Sequence, residues 1–217
     1  MRKELEHFTI DGSLGGQQEW FPEYWMKIGG CGAVTACDIC IYLARYLKMP
    51  EACPFDAWNI SKEDYLSFGE KMRPYLSPRP TGIDRTEIYV EGFGRYLADS
   101  GVSGIGFREI SGTEDVVTAV REVRAQIDRG LPVPYLMLMH RDKALDDYMW
   151  HWFLLNGYDE TEERFLVKVV SYGEGKWMDL RHLWRTCRRR KGGFVLLETE
   201  KQIEPNELQT GDVPRGE

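Results

Sequence analysis

No uninterrupted apolar run in the 217 residues approaches the ~20 needed to cross a bilayer. The opening MRKELEHFTIDG has charges where a secretory segment carries its apolar core. Both absences point to a soluble, cytoplasmic protein with no membrane partner. Positive charge is in deficit as well: 28 Lys and Arg against 35 Asp and Glu leave a net charge of -7. A surface of that sign repels phosphate backbones, so no nucleic acid is expected as partner. A dinucleotide fingerprint is missing, because GFGRYLADSG has the wrong spacing and sits in a helical pattern, and no organic cofactor or metal is implied. No internal repeat is found. Cysteine is scarce and odd in number: five thiols in a chain with 42% apolar residues, enough to hold a core without staples. Free thiols in a reducing compartment are therefore expected rather than a disulfide framework.

What the sequence does contain is a run of helical patterns followed by a run of strand patterns. Apolar positions at 34, 37, 41 and 44, with Thr35, Asp38, Tyr42 and Arg45 on the other side, predict an amphipathic helix over residues 33–49, ended before Pro50. Ser61 with Asp64 predicts the capped start of a second helix that stops near Pro74. A third runs from about Asp84 to a stop at Gly101, and GIGFREI then reads as a short strand. Ser111 with Glu114 predicts the cap of a fourth helix, closed by Gly130. Beyond it, YLMLM, HWFLLNGYD, RFLVKVV and GFVLLETE are apolar, β-rich runs separated by turn residues. Helices first and strands later argue for α+β, in a single domain over residues 1–200 with a polar, flexible tail over 201–217.

The chemistry concentrates in KIGGCGAVTACDIC, residues 27–40. On a helix, Cys37 and Cys40 stand about 60° apart, whereas Cys31 points about 180° from Cys40 and lies about 13 Å away along the axis. Three sulfurs so placed cannot meet one metal ion. Cys37 and Cys40 read as core packing, since a free cysteine behaves as a small hydrophobe. Cys31 follows Gly29 and Gly30 and precedes Gly32, where irregular chain becomes helix, so unpaired N–H groups and the positive end of the dipole favour its thiolate. The competing reading is that the glycines only shape a tight turn, with Cys31 as filler. A thiolate nucleophile needs a proton partner. His7 lies in a polar N-terminal arm, His182 in DLRHLW patterns as an exposed helical residue, and His140 ends YLMLM. His151 opens an apolar strand that closes in GYD, and is the favoured partner.

Four pieces, GGCGAV, IDRGLPVPYLMLM, HWFLLNGYD and FLVKVVSYGEGKW, occur in the order in which their counterparts occur in the papain-like cysteine peptidases, in particular the bacterial C39-like branch, which the chain resembles from about Gly29 to Trp177. That resemblance implies a two-lobed fold: a helical lobe whose long helix carries the cysteine, and an antiparallel sheet lobe carrying the histidine. It implies Cys31 as nucleophile, His151 as general base, the Cys31 N–H as half of an oxyanion hole, and a thioester formed on a peptide or other amide substrate. The family's oxyanion glutamine falls at Trp25 here, leaving Gln17 and Gln18 as the nearest amides, with Gln18 the candidate donor. The family's Asn or Asp behind the histidine falls at Val170 and Ser171, so Ser171 is the third member, unless Glu174 or Asp179 swings in.

Other readings compete. Transfer of the acyl group to an amine, by a cysteine acyltransferase of the same fold, needs the same pair, and an inactive binding protein could keep the frame. His140, Asp146, Asp147 and His151 in HRDKALDDYMWH could meet at a hairpin mouth around zinc or manganese. RTCRRRKGG is a basic turn without a flanking aromatic platform and reads as a solvated rim. The aromatic clusters EWFPEYW and YMWHWF flank Cys31 and His151 and could line a groove or an interior, with Trp150 and Trp152 facing away from His151.

Overall fold

A computed structural model describes residues 1–199. The reading of residues 201–217 as a flexible tail lies outside the described residues. The chain opens with three short strands, β1 (Arg2–Glu4), β2 (Thr9–Ile10) and β3 (Ser13–Leu14), and a 3-10 turn at Gln18–Trp20. Helices α1 (Tyr24–Gly29), α2 (Cys31–Tyr46), α3 (Lys62–Met72) and α4 (Thr86–Asp99) follow. Then come β4 (Ile105–Ser111), α5 (Val116–Asp128), β5 (Val133–Met137), β6 (His151–Glu160), β7 (Phe165–Ser171), β8 (Glu174–Asp179), α6 (Leu180–Trp184) and β9 (Gly192–Thr199).

The fold is mixed α+β. Seven strands form one antiparallel sheet in the order β4-β9-β5-β6-β7-β8, with β1 pairing the far half of β6. Helices and strands are less segregated than the sequence suggests. The first residues of the chain join the sheet, Arg2 opposite Asp159 and Glu4 opposite Gly157, and β4 follows the first helices as an edge strand on β9. A register shift between Leu155 and Tyr158 divides β6 into a half paired with β5 and a half paired with β1.

Local chemistry accounts for several boundaries. Ser61 and Asp64 form the reciprocal capping box at the start of α3. Helix α5 departs from expectation: Asp115, not Ser111 with Glu114, caps it by accepting from Thr118 N–H, because the Ser111 hydroxyl is engaged with Thr113. Gly130 closes the turn after α5 with φ +78°, a left-handed conformation that costs glycine least.

Helix α2 is not amphipathic in place. Every residue from Cys31 to Leu43 is buried, Thr35 and Asp38 included, because α2 packs against β6 on one side and α3 on another. Cys37 and Cys40 lie wholly inside the core, as their spacing indicates. The phenol of Tyr42 reaches across to donate to Gly130 O at 2.6 Å, tying α2 to the approach of β5. Trp152 on β6 stacks on Tyr89 of α4 with centroids 4.2 Å apart and donates its indole N–H to Ile83 O at 2.6 Å. These contacts tie the later part of α2 to the approach of β5, and the start of β6 to α4 and the segment before it.

Candidate active site

Helices α1 and α2 meet in an elbow at Gly30, and its glycines are there for space. A Cβ on Gly30 would stand 2.3 Å from Met26 O, and one on Gly32 would stand 3.0 Å from Ile83 Cδ1. The glycines therefore admit protein neighbours rather than opening a path to the sulfur. Cys31 is the first residue of α2 and is 4% exposed. Burial pushes its thiol above the usual cysteine range, and the N–H groups of Trp152, Gly32 and Cys31 itself pull the other way without winning. This reverses the thiolate expected at a helix start: desolvation outweighs the amide groups that favour the anion.

His151 opens β6 and is 7% exposed. Burial alone pulls its imidazole down to about 4. Its Nε2 lies 2.7 Å from Ser171 Oγ at the end of β7. The Leu154–Val170 pairing explains the meeting, since in antiparallel strands it turns residue 171 to the face that carries 151 and 153. One face of the ring rests on Tyr172, with centroids 4.7 Å apart and planes 6° from parallel. Tyr172 and Gly173, at φ +52° and +75°, form the two-residue turn from β7 to β8, and the Tyr172 hydroxyl donates to Asp147 O. Sequence reasoning passed over Tyr172; its signal was the YG pair, a two-residue hairpin loop that holds its first side chain beside the strand end.

Cys31, His151, Ser171 and Gln18 all line one cavity of about 20 Å³, room for a single water molecule. Gln18 Oε1 is enclosed there without a hydrogen-bond partner, while the Gln17 amide is spent on Ser13 Oγ at 2.7 Å. Trp25, where the papain-like resemblance implies a glutamine, is 43% exposed and is not among the residues lining that cavity. The arm of residues 14–19 contributes Leu14 and residues 16–19 to the lining and is pinned by Leu14 N–H to Gly173 O and by Gly16 N–H to the Asp38 carboxylate.

Asp38 also lines the cavity, on the same face of α2 as Cys31 and Thr35 by i, i+4, i+7 spacing. Burial raises its carboxyl to about 7 against the donors Tyr65 O–H, at 2.7 Å, and Gly16 N–H. The sequence reading placed Asp38 on an outer face, and only the packing of α3 and the arm corrects it. His7 is likewise no solvated arm residue. Its ring stacks on Phe8, both nitrogens are enclosed and unpartnered, and burial pulls it down to about 4.

The carboxylates offered as orienting groups do not serve. Glu174 is exposed and pairs with Lys176, and Asp179 caps α6 by accepting from Arg181 N–H. The ligand set at residues 140–151 does not assemble. His140 lies beyond β5, its Nδ1 accepts from Asp142 N–H and its Nε2 bonds His182 O, while Asp146 and Asp147 face solvent. Among the described residues no group of three or more His, Cys, Asp or Glu is arranged to hold a metal ion. His182 is exposed on α6 and pairs with Asp142. The arginine run does have an aromatic partner, contrary to its sequence context: Arg190 lies 4.7 Å over the Trp150 ring and bonds Asp84 at 2.6 Å. All five cysteines are free, and only Cys187 is exposed.

No helix among the described residues is long and apolar enough to cross a membrane. No protein-family model matches the chain, and no curated protein matches it.

Proposed function

We propose that the chain is a papain-like, C39-like thiol hydrolase of peptide or other amide bonds, with its helical part and its sheet as the two lobes and Cys31 and His151 as the reacting pair. One observation carries the reading: side chains 120 positions apart in sequence line a single cavity, and the imidazole is held from behind by Ser171. With Nε2–H donating to Ser171 Oγ, Nδ1 keeps the lone pair that takes the thiol proton. At rest the pair is neutral, a thiol and an imidazole, since burial disfavours both charged forms.

In the reaction the Cys31 sulfur bonds to the amide carbon as its proton passes to His151. The Cys31 N–H and the Gln18 amide, turned about its last torsion, stabilise the oxygen. The C–N bond then breaks with the proton returned to the leaving amine. Water, deprotonated by His151, displaces the sulfur and releases the acid; an amine in place of water would make the same step a transfer. A cavity that holds one water requires the arm of residues 14–19 to shift before an amide can enter. The free thiols agree with a cytoplasmic setting.

The enclosed sulfur with its raised pKa favours a second reading, a papain-like binding protein without turnover. Hydrolysis of a fluorogenic peptide-amide library separates the two. The hydrolase reading expects turnover that falls at least about a thousandfold in both Cys31→Ala and His151→Ala. Turnover that survives either change, or none with any amide, discards it.

A further inference from the structure

The arm of residues 14–19 passes through a seat that the proposed chemistry does not use. Two consecutive glycines fill it. A Cβ on Gly15, whose φ is +71°, would stand 2.6 Å from Asp38 Oδ2 and 3.0 Å from His7 Nε2, and one on Gly16 would stand 1.8 Å from Tyr65 Cζ. The backbone is therefore closed in by a carboxyl, an imidazole and a phenol. Gly16 N–H donates to Asp38 Oδ1 at 3.2 Å, and the Tyr65 hydroxyl donates to the same oxygen at 2.7 Å. Beyond Gln18 the chain meets Tyr65 a second time, with the Trp20 ring edge-on to it and centroids 5.8 Å apart. Gln18 is thus held before and after by groups of α2 and α3.

Among the described residues Asp38 is the one Asp or Glu that is buried, and a carboxyl taken out of water is costly unless its bonds compensate. Apolar packing alone could tether this part of the chain, as Phe21 does where it lies on Gly69. What the carboxyl adds is register, because a hydrogen bond selects one particular N–H. Along α2, Asp38 stands two turns, about 10 Å, from Cys31 on the same face. Two residues of extended chain span about 7 Å, and a glutamine side chain reaches further. That reach brings the Gln18 amide into the cavity that holds the sulfur. A slip of one residue would move the amide about 3.4 Å, out of hydrogen-bond range.

We infer that Asp38 is a positioning residue of the proposed hydrolase: through Gly16 N–H it sets the register of the arm, so that the Gln18 amide meets the oxygen of the amide attacked by Cys31. The inference rests on the thiol reading above. Asp38 touches no reacting atom, since two turns of helix separate it from the sulfur. Entry of a substrate lifts the arm, and its return to the same bond restores Gln18 to one place. Loss of the bond eases entry while it spoils the stabilisation of the oxygen, which separates the effect on kcat from that on KM.

The test is a double-mutant cycle in the full chain, on the member of the fluorogenic peptide-amide library that the unaltered protein cleaves fastest. Gln18→Ala is expected to lower kcat about a hundredfold, the loss of one oxyanion donor. Asp38→Ala is expected to lower kcat at least about tenfold without raising KM, and Asp38→Asn, which keeps the accepting oxygen, to stay within about threefold. The double variant Asp38→Ala with Gln18→Ala is expected to fall no further than Gln18→Ala alone. Iodoacetamide labelling checks the fold: in Asp38→Ala, Cys31 is expected to react faster while Cys37 and Cys40 stay protected. If those two label, Asp38→Leu, similar in shape but without an acceptor, takes the place of the alanine variant. A harmless Gln18→Ala, losses that multiply in the double variant, or an Asp38→Asn as impaired as Asp38→Ala overturns the positioning role and leaves Cys31 and His151 in place. Unfolding of both the Ala and the Leu variants does the same, since Asp38 is then a structural anchor. No cleavage of any amide by the unaltered protein removes the thiol reading and this role with it.

Discussion

The Nε2 of His151 lies 2.7 Å from the hydroxyl of Ser171, a neutral partner at the place where the papain-like resemblance implies an amide or a carboxylate. A neutral hydroxyl orients the ring but adds no charge against an imidazolium, in keeping with an imidazole pulled down to about 4. Replacing Ser171 by Ala removes one hydrogen bond, worth ~1 kcal/mol, and is expected to lower kcat/KM about fivefold to tenfold. Ser171→Asp is expected to move the acid limb of the pH–rate profile upward, because a carboxylate favours the protonated ring. Pre-steady-state or steady-state pH profiles check both, and an unchanged limb in Ser171→Asp would place the base elsewhere.

Thiol reactivity in the native protein is expected in the order Cys187, then Cys31, with Cys37 and Cys40 protected until unfolding. Burial, not the glycines around it, sets the slow rate of Cys31, and its alkylation is expected to accelerate with rising pH, since its thiol lies above the usual range. Isotope-coded iodoacetamide with peptide mapping reads the order directly. Cys31 outpacing Cys187 near neutral pH would contradict the burial argument.

Gly16 has no room for a side chain: a Cβ would stand 1.8 Å from Tyr65 Cζ. Gly16→Ala is expected to lift the arm of residues 14–19, to destabilise the fold by about 1–3 kcal/mol as overpacking does, and to speed alkylation of Cys31. Denaturant melts together with labelling rates test it; a destabilised variant whose Cys31 stays slow would mean that the arm does not control access.

Stability against pH carries two opposed contributions. Asp38, raised from 3.8 to about 7, gives stability that is complete below pH 3.8 and is lost as pH rises through 7. His7 and His151, lowered from 6.5 to about 4, give stability that is complete above pH 6.5 and is lost as pH falls through 4. Asp38→Asn is therefore expected to remove the loss on the alkaline side, about 2–4 kcal/mol, and to leave the acid-side loss in place. Thermal melts between pH 4 and 8 would decide it, and an unaltered alkaline slope would mean that Asp38 is not the titrating group.

Much of the scaffold was legible from short-range pattern. Apolar, β-rich runs bounded by turn residues gave β5, β6, β7 and β9, the 3.6 period gave α2, and Ser61 with Asp64 gave the start of α3, because each depends on residues a few positions apart. Cys31 at a helix start and His151 at a strand start were likewise readable, and both line the cavity. The cap of α5 was misread because Ser111 and Asp115 both satisfy a local pattern, and only the competing bond to Thr113 removes the first.

The sequence by itself determined the longer helices and the apolar strands, though not β1, α1 or β8, and that one cysteine stands apart from the two that pack within its helix. Tertiary structure alone decided what surrounds that cysteine. The pairing of β1 with β6, the arm folded over the cavity, Tyr172 beneath the imidazole and the burial of Asp38 all join residues distant in sequence. Those contacts remove water from the site, and desolvation, which no local pattern records, sets the protonation states of Cys31, His151 and Asp38.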